Sequence, residues 1–341
     1  MFTLKIMVAA GVLAFLPKAS IEAETPNWPG KRLPTLIERW EAELIVFGEV
    51  VETQFKDGGQ YSRIKVISKI KSGEREIGEE VKVFVQLGSH WPYTFRNKTT
   101  AIAYLKYSKK LDCYVDYNQR DGGIDVDQDT GKFLVKQYAK LPKILKEKKK
   151  LERAILKRDW YFDLSLDPKT RGHAAYGIWY LWRNTKDLGI LEVDEAETVS
   201  DWLTESQKEA ICDVIASEKP DWSAYEMIKL LKAHPSRKID KYMLKALRQS
   251  LTDDEMVPVG GSTIADLSID LLPERMGFVL SESLTKKHKA HYDALIDFSY
   301  EIDIGDEYTE EQKQAARTAI TKQWRELARE FLEIPEIKSL K

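Results

Sequence analysis

Along residues 63–85, RIKVISKIKSGEREIGEEVKVFV, apolar and polar side chains alternate, break at a charged glycine-containing interruption, and alternate again. Ile64, Val66 and Ile70 fall on one side of the first run, with Arg63, Lys65, Lys69 and Lys71 on the other. Val81, Val83, Val85 and Leu87 oppose Lys82 and Gln86 in the second. A period of two predicts strands with one buried face and one wet face, as in an antiparallel sheet. ELIVFGEVVE (Glu43 to Glu52) is rich in β-branched residues and predicts a preceding strand, and KDGG a turn. TAIAYLKY and DCYVDY supply two more strands. Five short strands of this kind predict a small, closed or nearly closed barrel of the OB type.

Beyond Tyr138 the period changes. Ile239, Tyr242, Met243, Ala246 and Leu247 recur at three and four, as do Ile264, Leu267, Leu271 and Leu272. That spacing predicts amphipathic helices. TESQ at Thr204, TDDE at Thr252 and TEEQ at Thr309 each fit a capping box, in which hydroxyl and fourth side chain satisfy free helix amides reciprocally. TEEQKQAARTAITKQWRELAREFLE predicts one long closing helix. The segment from Tyr138 to Leu164 is crowded with Lys and Arg, and is expected to be a basic joining helix with a solvated face.

The fold class expected is therefore α+β with several domains: an N-terminal antiparallel OB-like barrel over residues 24–136 and an all-α domain over residues 137–341. The turn-rich RDGG and DQDTG lie between the two patterns, so the halves are expected to unfold as separate cooperative units. Residues 1–23 read as a signal peptide. An apolar run of eleven residues, Ile6 to Leu16, follows a lysine and is ended by Pro17. A bilayer span needs about 20 apolar residues, whereas a signal-peptide core is shorter. Cleavage is expected after Ala23, with Ala19 as the second choice, and a buried N-terminal helix or strand is the competing reading. The chain is thus expected to be secreted or periplasmic, without a transmembrane segment.

The strand motifs carry a resemblance. AELIVFGEVVE, Lys71-Ser72-Gly73, Gly78-Glu79-Glu80-Val81 and Tyr104-Leu105 are similar to bacterial netrin-like and tissue-inhibitor-of-metalloproteinase-like domains, over residues 36–117. The resemblance implies an OB barrel and, as one functional expectation, peptidase inhibition. Animal inhibitors of that kind use an N-terminal cysteine to chelate the protease zinc, and this chain has none near its expected mature end. KIDKYMLKALRQSL and STIADLSIDLLP resemble degenerate HEAT-type helices, with a plain helical bundle as the alternative.

Composition narrows the classes. Of 341 residues, 43% are hydrophobic and 32% charged, and Lys+Arg (53) nearly balance Asp+Glu (55). Such a chain has no global attraction for nucleic acid, so no nucleic-acid partner is expected. Cys113 and Cys212 are far apart, each with apolar flanks, and suit two separate buried thiols better than a disulfide.

Candidate chemistry is sparse. The loop GSHWPYTFRNKTT places Trp91, Tyr93, Phe95 and Arg96 together, apolar faces beside a planar cation, and these four are the candidate ligand-binding residues. The competing reading has Trp91 and Phe95 plugging the barrel end. DVDQDTGKF invites a calcium loop, but the sixth place is Thr130 and the twelfth Lys136 where Gly and Glu are required, so an acidic hairpin turn is expected. His288 and His291 are three apart with no glutamate between, and are expected on a solvated helix face, insensitive to replacement by alanine. No catalytic motif, metal site or cofactor is expected. The functional expectation is a non-enzymatic protein or peptide binder of the cell envelope. A peptidase inhibitor and a hydrolase with an interdomain site are the alternatives.

Overall fold

The computed structural model describes residues 35–340, apart from 57, 88–93, 117–121, 191–196, 221–223, 255–256, 259–262 and 299–307. These residues fall in one compact unit, Pro34–Lys341. The strands are β1 (Leu44–Lys56), β2 (Gly59–Lys71), β3 (Glu80–Gln86), β4 (Thr100–Ser108), β5 (Cys113–Asp116) and β6 (Gly123–Asp125). They form a sheet in the order β1-β2-β3-β5-β4-β6, with β1 also paired to β4. Every pairing is antiparallel except β3 with β5. The β1–β2 hairpin closes at Lys56 opposite Gly59, and Gly58 supplies the left-handed backbone (φ 71°) that only glycine adopts without cost. β6 was not anticipated: it is three residues long, too short for a period to register.

The alternation of β3, and of β2 as far as Val66, buries one face as expected, but beyond the register shifts Ile70 packs in a different apolar cluster from Ile64 and Val66. β1 and β4 differ, because both of their faces are covered. Leu44, Val46 and Val50 join Ile64, Val81, Val83, Val85, Ala101, Ala103 and Leu105 in one apolar cluster. Ile45, Phe47, Ile102 and Tyr104 face the other way, into a second cluster that runs on through the helices.

Those helices are α1 (Gln128–Tyr138), α2 (Leu141–Lys146), α3 (Lys150–Ser165), α4 (Pro168–Asp187), α5 (Glu205–Ser217), α6 (Tyr225–Leu230), α7 (Arg237–Gln249), α8 (Ile264–Met276), α9 (Glu282–Asp297), α10 (Glu310–Leu332) and α11 (Pro335–Lys338). The capping boxes at Thr204 and Thr309 form, with both reciprocal hydrogen bonds. Glu255 of the third lies outside the described residues, and the next helix, α8, is capped by Thr263.

DVDQDTGKF is not a hairpin turn. Asp127 caps α1, its carboxylate accepting from the Thr130 amide at 2.8 Å, and that bond holds its pKa below the usual carboxylate range. α1 then lies against the sheet so closely that a Cβ on Gly131 would come within 2.2 Å of the Phe47 ring. The Tyr138 hydroxyl meets that of Tyr104 at 2.6 Å, both side chains fully buried. The boundary expected between residues 136 and 137 thus lies inside α1, whose Leu134 and Tyr138 share an apolar cluster with both β1 and α3. Cys113 and Cys212 are free thiols, and burial raises the pKa of each.

Candidate functional site

Of the four candidate loop residues, Trp91 and Tyr93 lie outside the described residues. Phe95 is 1% exposed and belongs to the inner cluster of the sheet. Its backbone is clamped by one side chain: Gln60 Nε2 donates to the Phe95 carbonyl at 2.7 Å, and the Phe95 amide donates to Gln60 Oε1 at 2.8 Å. Phe95 therefore plugs the core and offers no face to a ligand. Arg96 stands in solvent, its Nε 3.7 Å from an Asp125 carboxylate oxygen. The two are adjacent in sequence, yet one packs in the core and the other stands in solvent.

A different surface comes from unequal strand lengths. β2 has thirteen residues and β3 seven. Their ladder ends at Lys65 opposite Glu80, with one further bond from the Val66 amide to the Glu79 carbonyl at 2.7 Å. From Ile67 to Lys71, β2 is paired with β1 on one side and, among the described residues, with no strand on the other. Beside that edge lies a shallow groove of about 440 Å³ lined by Val66, Ile67, Ser68, Lys69, Ile77, Gly78 and Glu79. Lys69 bridges it, its Nζ donating to the Ile77 carbonyl at 3.0 Å, and Ile67 is 47% exposed.

The β1–β2 register shifts between Phe47 and Gly48 and again between Ile45 and Val46, so Ile67 and Ile70 are each one residue more than β1 can match. Bulges of this kind commonly accompany strand edges. A trace of this was present in the sequence. Ile67 has the parity of the flanking lysines, which a half-buried strand would not place there.

His288 and His291 do not sit on a solvated face. His291 is fully buried against Trp324, ring centroids 5.2 Å apart, and among the described residues both its ring nitrogens lack hydrogen-bond partners. Burial holds its pKa down to about 4. His288 lies between two carboxylates of α8, its Nε2 3.2 Å from Asp266 and its Nδ1 3.6 Å from Asp270. Burial opposes its charge, but the Asp266 hydrogen bond and the Asp270 charge outweigh that and raise its pKa. Burial and the Asp266 charge together push the Asp270 carboxyl up to about 6. The lysines that flank the histidines in sequence turn outward, and the α8 carboxylates that meet them are 18 or more residues away, so local spacing could not reveal the pair. Among the described residues no three His, Cys, Asp or Glu side chains are grouped to hold a metal ion, and no helix is long and apolar enough to cross a membrane.

Comparison of the chain with protein-family models, with curated proteins and with solved structures finds no match.

Proposed function

We propose that the chain is an exported, non-enzymatic protein that binds a protein or peptide partner in the cell envelope, and that an extended segment of the partner adds to β2. The observation that carries this is the open edge from Ile67 to Lys71, beside its groove. An unpaired edge presents main-chain donors and acceptors at strand spacing. A peptide that pairs with it gains backbone hydrogen bonds, while neighbouring pockets select alternate side chains. Ile67 and Ile77 supply apolar contact here, and Lys69 and Glu79 supply charge of both signs.

The OB-barrel reading of the sheet goes with this proposal. It is supported by the pairings, which pass from β1 through β2, β3, β5 and β4 and return to β1. The same circuit is what the netrin-like resemblance implies. Peptidase inhibition would need a chelating group from elsewhere than an N-terminal cysteine. A HEAT-type arrangement draws support from the packing of α7 on α8 and of α5 on α7.

Peptides selected from a display library against the chain test the proposal. A selected peptide should slow amide exchange across Ile67–Lys71, and N-methylation of its alternate amides in one register should weaken binding about tenfold or more, as expected when several backbone hydrogen bonds are lost. Binding indifferent to N-methylation in both registers would exclude strand addition.

A further inference from the structure

Six cations and two carboxylates lie between Lys143 and Arg153, in a chain whose net charge is -2. On α2, Leu141 and Ile144 are buried, which leaves Lys143 and Lys146, three apart, on the exposed side. Lys148, Lys149 and Lys150 follow in the turn into α3 and are exposed. Both carboxylates are engaged by one residue: Glu147 accepts from the Lys149 amide at 2.9 Å, and Glu152 from Lys149 Nζ at 2.6 Å. Among the described residues no carboxylate pairs with Lys143, Lys146, Lys148, Lys150 or Arg153. Burial lowers the Lys157 pKa one turn further along, and the charge of Arg153 adds to that. Beyond the lysines the outer side of α3 turns aliphatic. Leu151 and Leu156 are each 40% exposed, Ile155 is half-buried, and none of the three joins a core cluster. The acids beside them, Glu152 and Asp159, are held by Lys149 at 2.6 Å and by Arg158 at 2.8 Å.

An exposed cationic run beside exposed aliphatic side chains fits a surface that is anionic at its face and apolar just beneath it. We infer that the edge formed by α2 and the start of α3 docks on a membrane leaflet rich in anionic phospholipid. The lysines sit at headgroup phosphates with their methylene stems along the interface, and Leu151, Ile155 and Leu156 dip below them. Two features separate this surface from a site for an anionic polymer. Five of the six cations are lysines, point charges that add to a diffuse field, whereas bidentate phosphate recognition favours arginine. Residues 143–156 hold no aromatic side chain on which a base could stack. Docking of this kind is peripheral and needs no membrane-spanning helix. It is separate from the β2 edge and does not depend on strand addition there.

The test is co-sedimentation of the full chain with vesicles of phosphatidylcholine alone and with about 30 mol% phosphatidylglycerol added, in about 0.1 M NaCl. Partitioning should be about tenfold or more stronger on the anionic vesicles and should fade as salt rises. Lys146→Gln and Lys148→Gln should each weaken it about fivefold. Lys245→Gln, at an exposed lysine of α7, should leave it unchanged. Leu151→Gln combined with Leu156→Gln should weaken binding to the anionic vesicles severalfold and leave binding to soluble polyphosphate where it was. Attachment through the apolar run at residues 6–16 would be equal on the two kinds of vesicle and in every variant. Equal partitioning on neutral and anionic vesicles would overturn the inference. So would a loss from Lys245→Gln as large as that from Lys148→Gln, since net charge alone would then account for binding. A leucine pair that can be replaced without effect, in a chain that also binds polyphosphate tightly, would overturn the membrane assignment in favour of an anionic polymer. Circular dichroism checks that each variant is folded, and if the leucine pair does not fold, the lysine variants decide.

Discussion

β1 and β4 bury apolar residues on both faces, whereas β2 and β3 bury theirs mainly on one face and leave Phe84 half-buried and Ile67 exposed on the other. The sequences differ accordingly: LIVF and AIAYL are unbroken apolar runs, and RIKV and EVKV alternate. Alternation reports a strand that meets water on one side, and an unbroken run reports one covered on both. In β1 the even positions Leu44 and Val46 pack inside the sheet, while the odd positions Ile45 and Phe47 pack against the helices. The same strand therefore serves two cores. The wet half of the sheet serves one, and its free backbone is where the open edge lies. What separates the two halves is the cover over the second face, supplied by α1 and the helices behind it.

The comparison breaks most readily at Phe47. Phe47→Ala should cost about 3–5 kcal/mol, the usual range for a buried aromatic. Because Phe47 belongs to the cluster shared with the helices, the loss should shift the helical signal and a sheet-reporting signal together in a urea titration. A helical transition left in place while the sheet melts early would mean that the halves unfold separately, as the turn-rich segment between them suggested.

Acid should act next, and on the covered side. His173 of α4 is held down to about 4 by burial and by Arg39, whose guanidinium lies over the Tyr104 ring. His291 is held down similarly. Between about pH 6.5 and 4 the unfolded chain protonates these histidines and the folded chain does not, so stability falls as pH falls. Each histidine should contribute a loss of about 2–3 kcal/mol across that window. Asp270 works against this, since its carboxyl, raised to about 6, takes up its proton earlier in the folded chain and adds stability as pH falls through the same range. His288, raised, has the same sense: its contribution is present at low pH and is lost as pH rises through its folded pKa. Chemical denaturation from pH 7 to 4 should give a shallower slope for His173→Gln than for the parent. An unchanged slope would remove His173 from the account.

Gly131→Ala sharpens the same contact from the other side. The added methyl meets the Phe47 ring, so the variant should lose about 1–3 kcal/mol by overpacking. If Phe47→Ala makes room, the double variant should recover part of that loss, measurable as a coupling in the four-way cycle. On the wet face the effects should nearly vanish. Lys65→Ala, at an exposed position of β2, should stay within about 0.5 kcal/mol by thermal or urea melts.

The sequence by itself determined the local elements. Two of its three capping motifs carry reciprocal bonds in the structure, at Thr204 and Thr309, because a cap joins groups three residues apart. The alternation over 63–71 and 81–85 marked two strands for the same reason: pleat and side-chain direction are properties of adjacent residues. Tertiary structure alone decided which residues became partners. DVDQDTGKF has the composition of a turn, yet Asp127 caps a helix that packs Gly131 on Phe47, far back in β1. Phe95 and Arg96 are neighbours in sequence, yet the tertiary packing holds one in the core and leaves the other in solvent. His291 looked wet among its lysines, but the helix turned it onto Trp324. Trp160 of α3 donates its indole N–H to the Gln137 carbonyl of α1 at 2.8 Å, a bond that only the packing of the two helices makes. Local pattern says how a segment buries itself, but the identity of what buries it depends on close-packed contacts between segments distant in the chain, and single-chain spacing carries no record of those contacts.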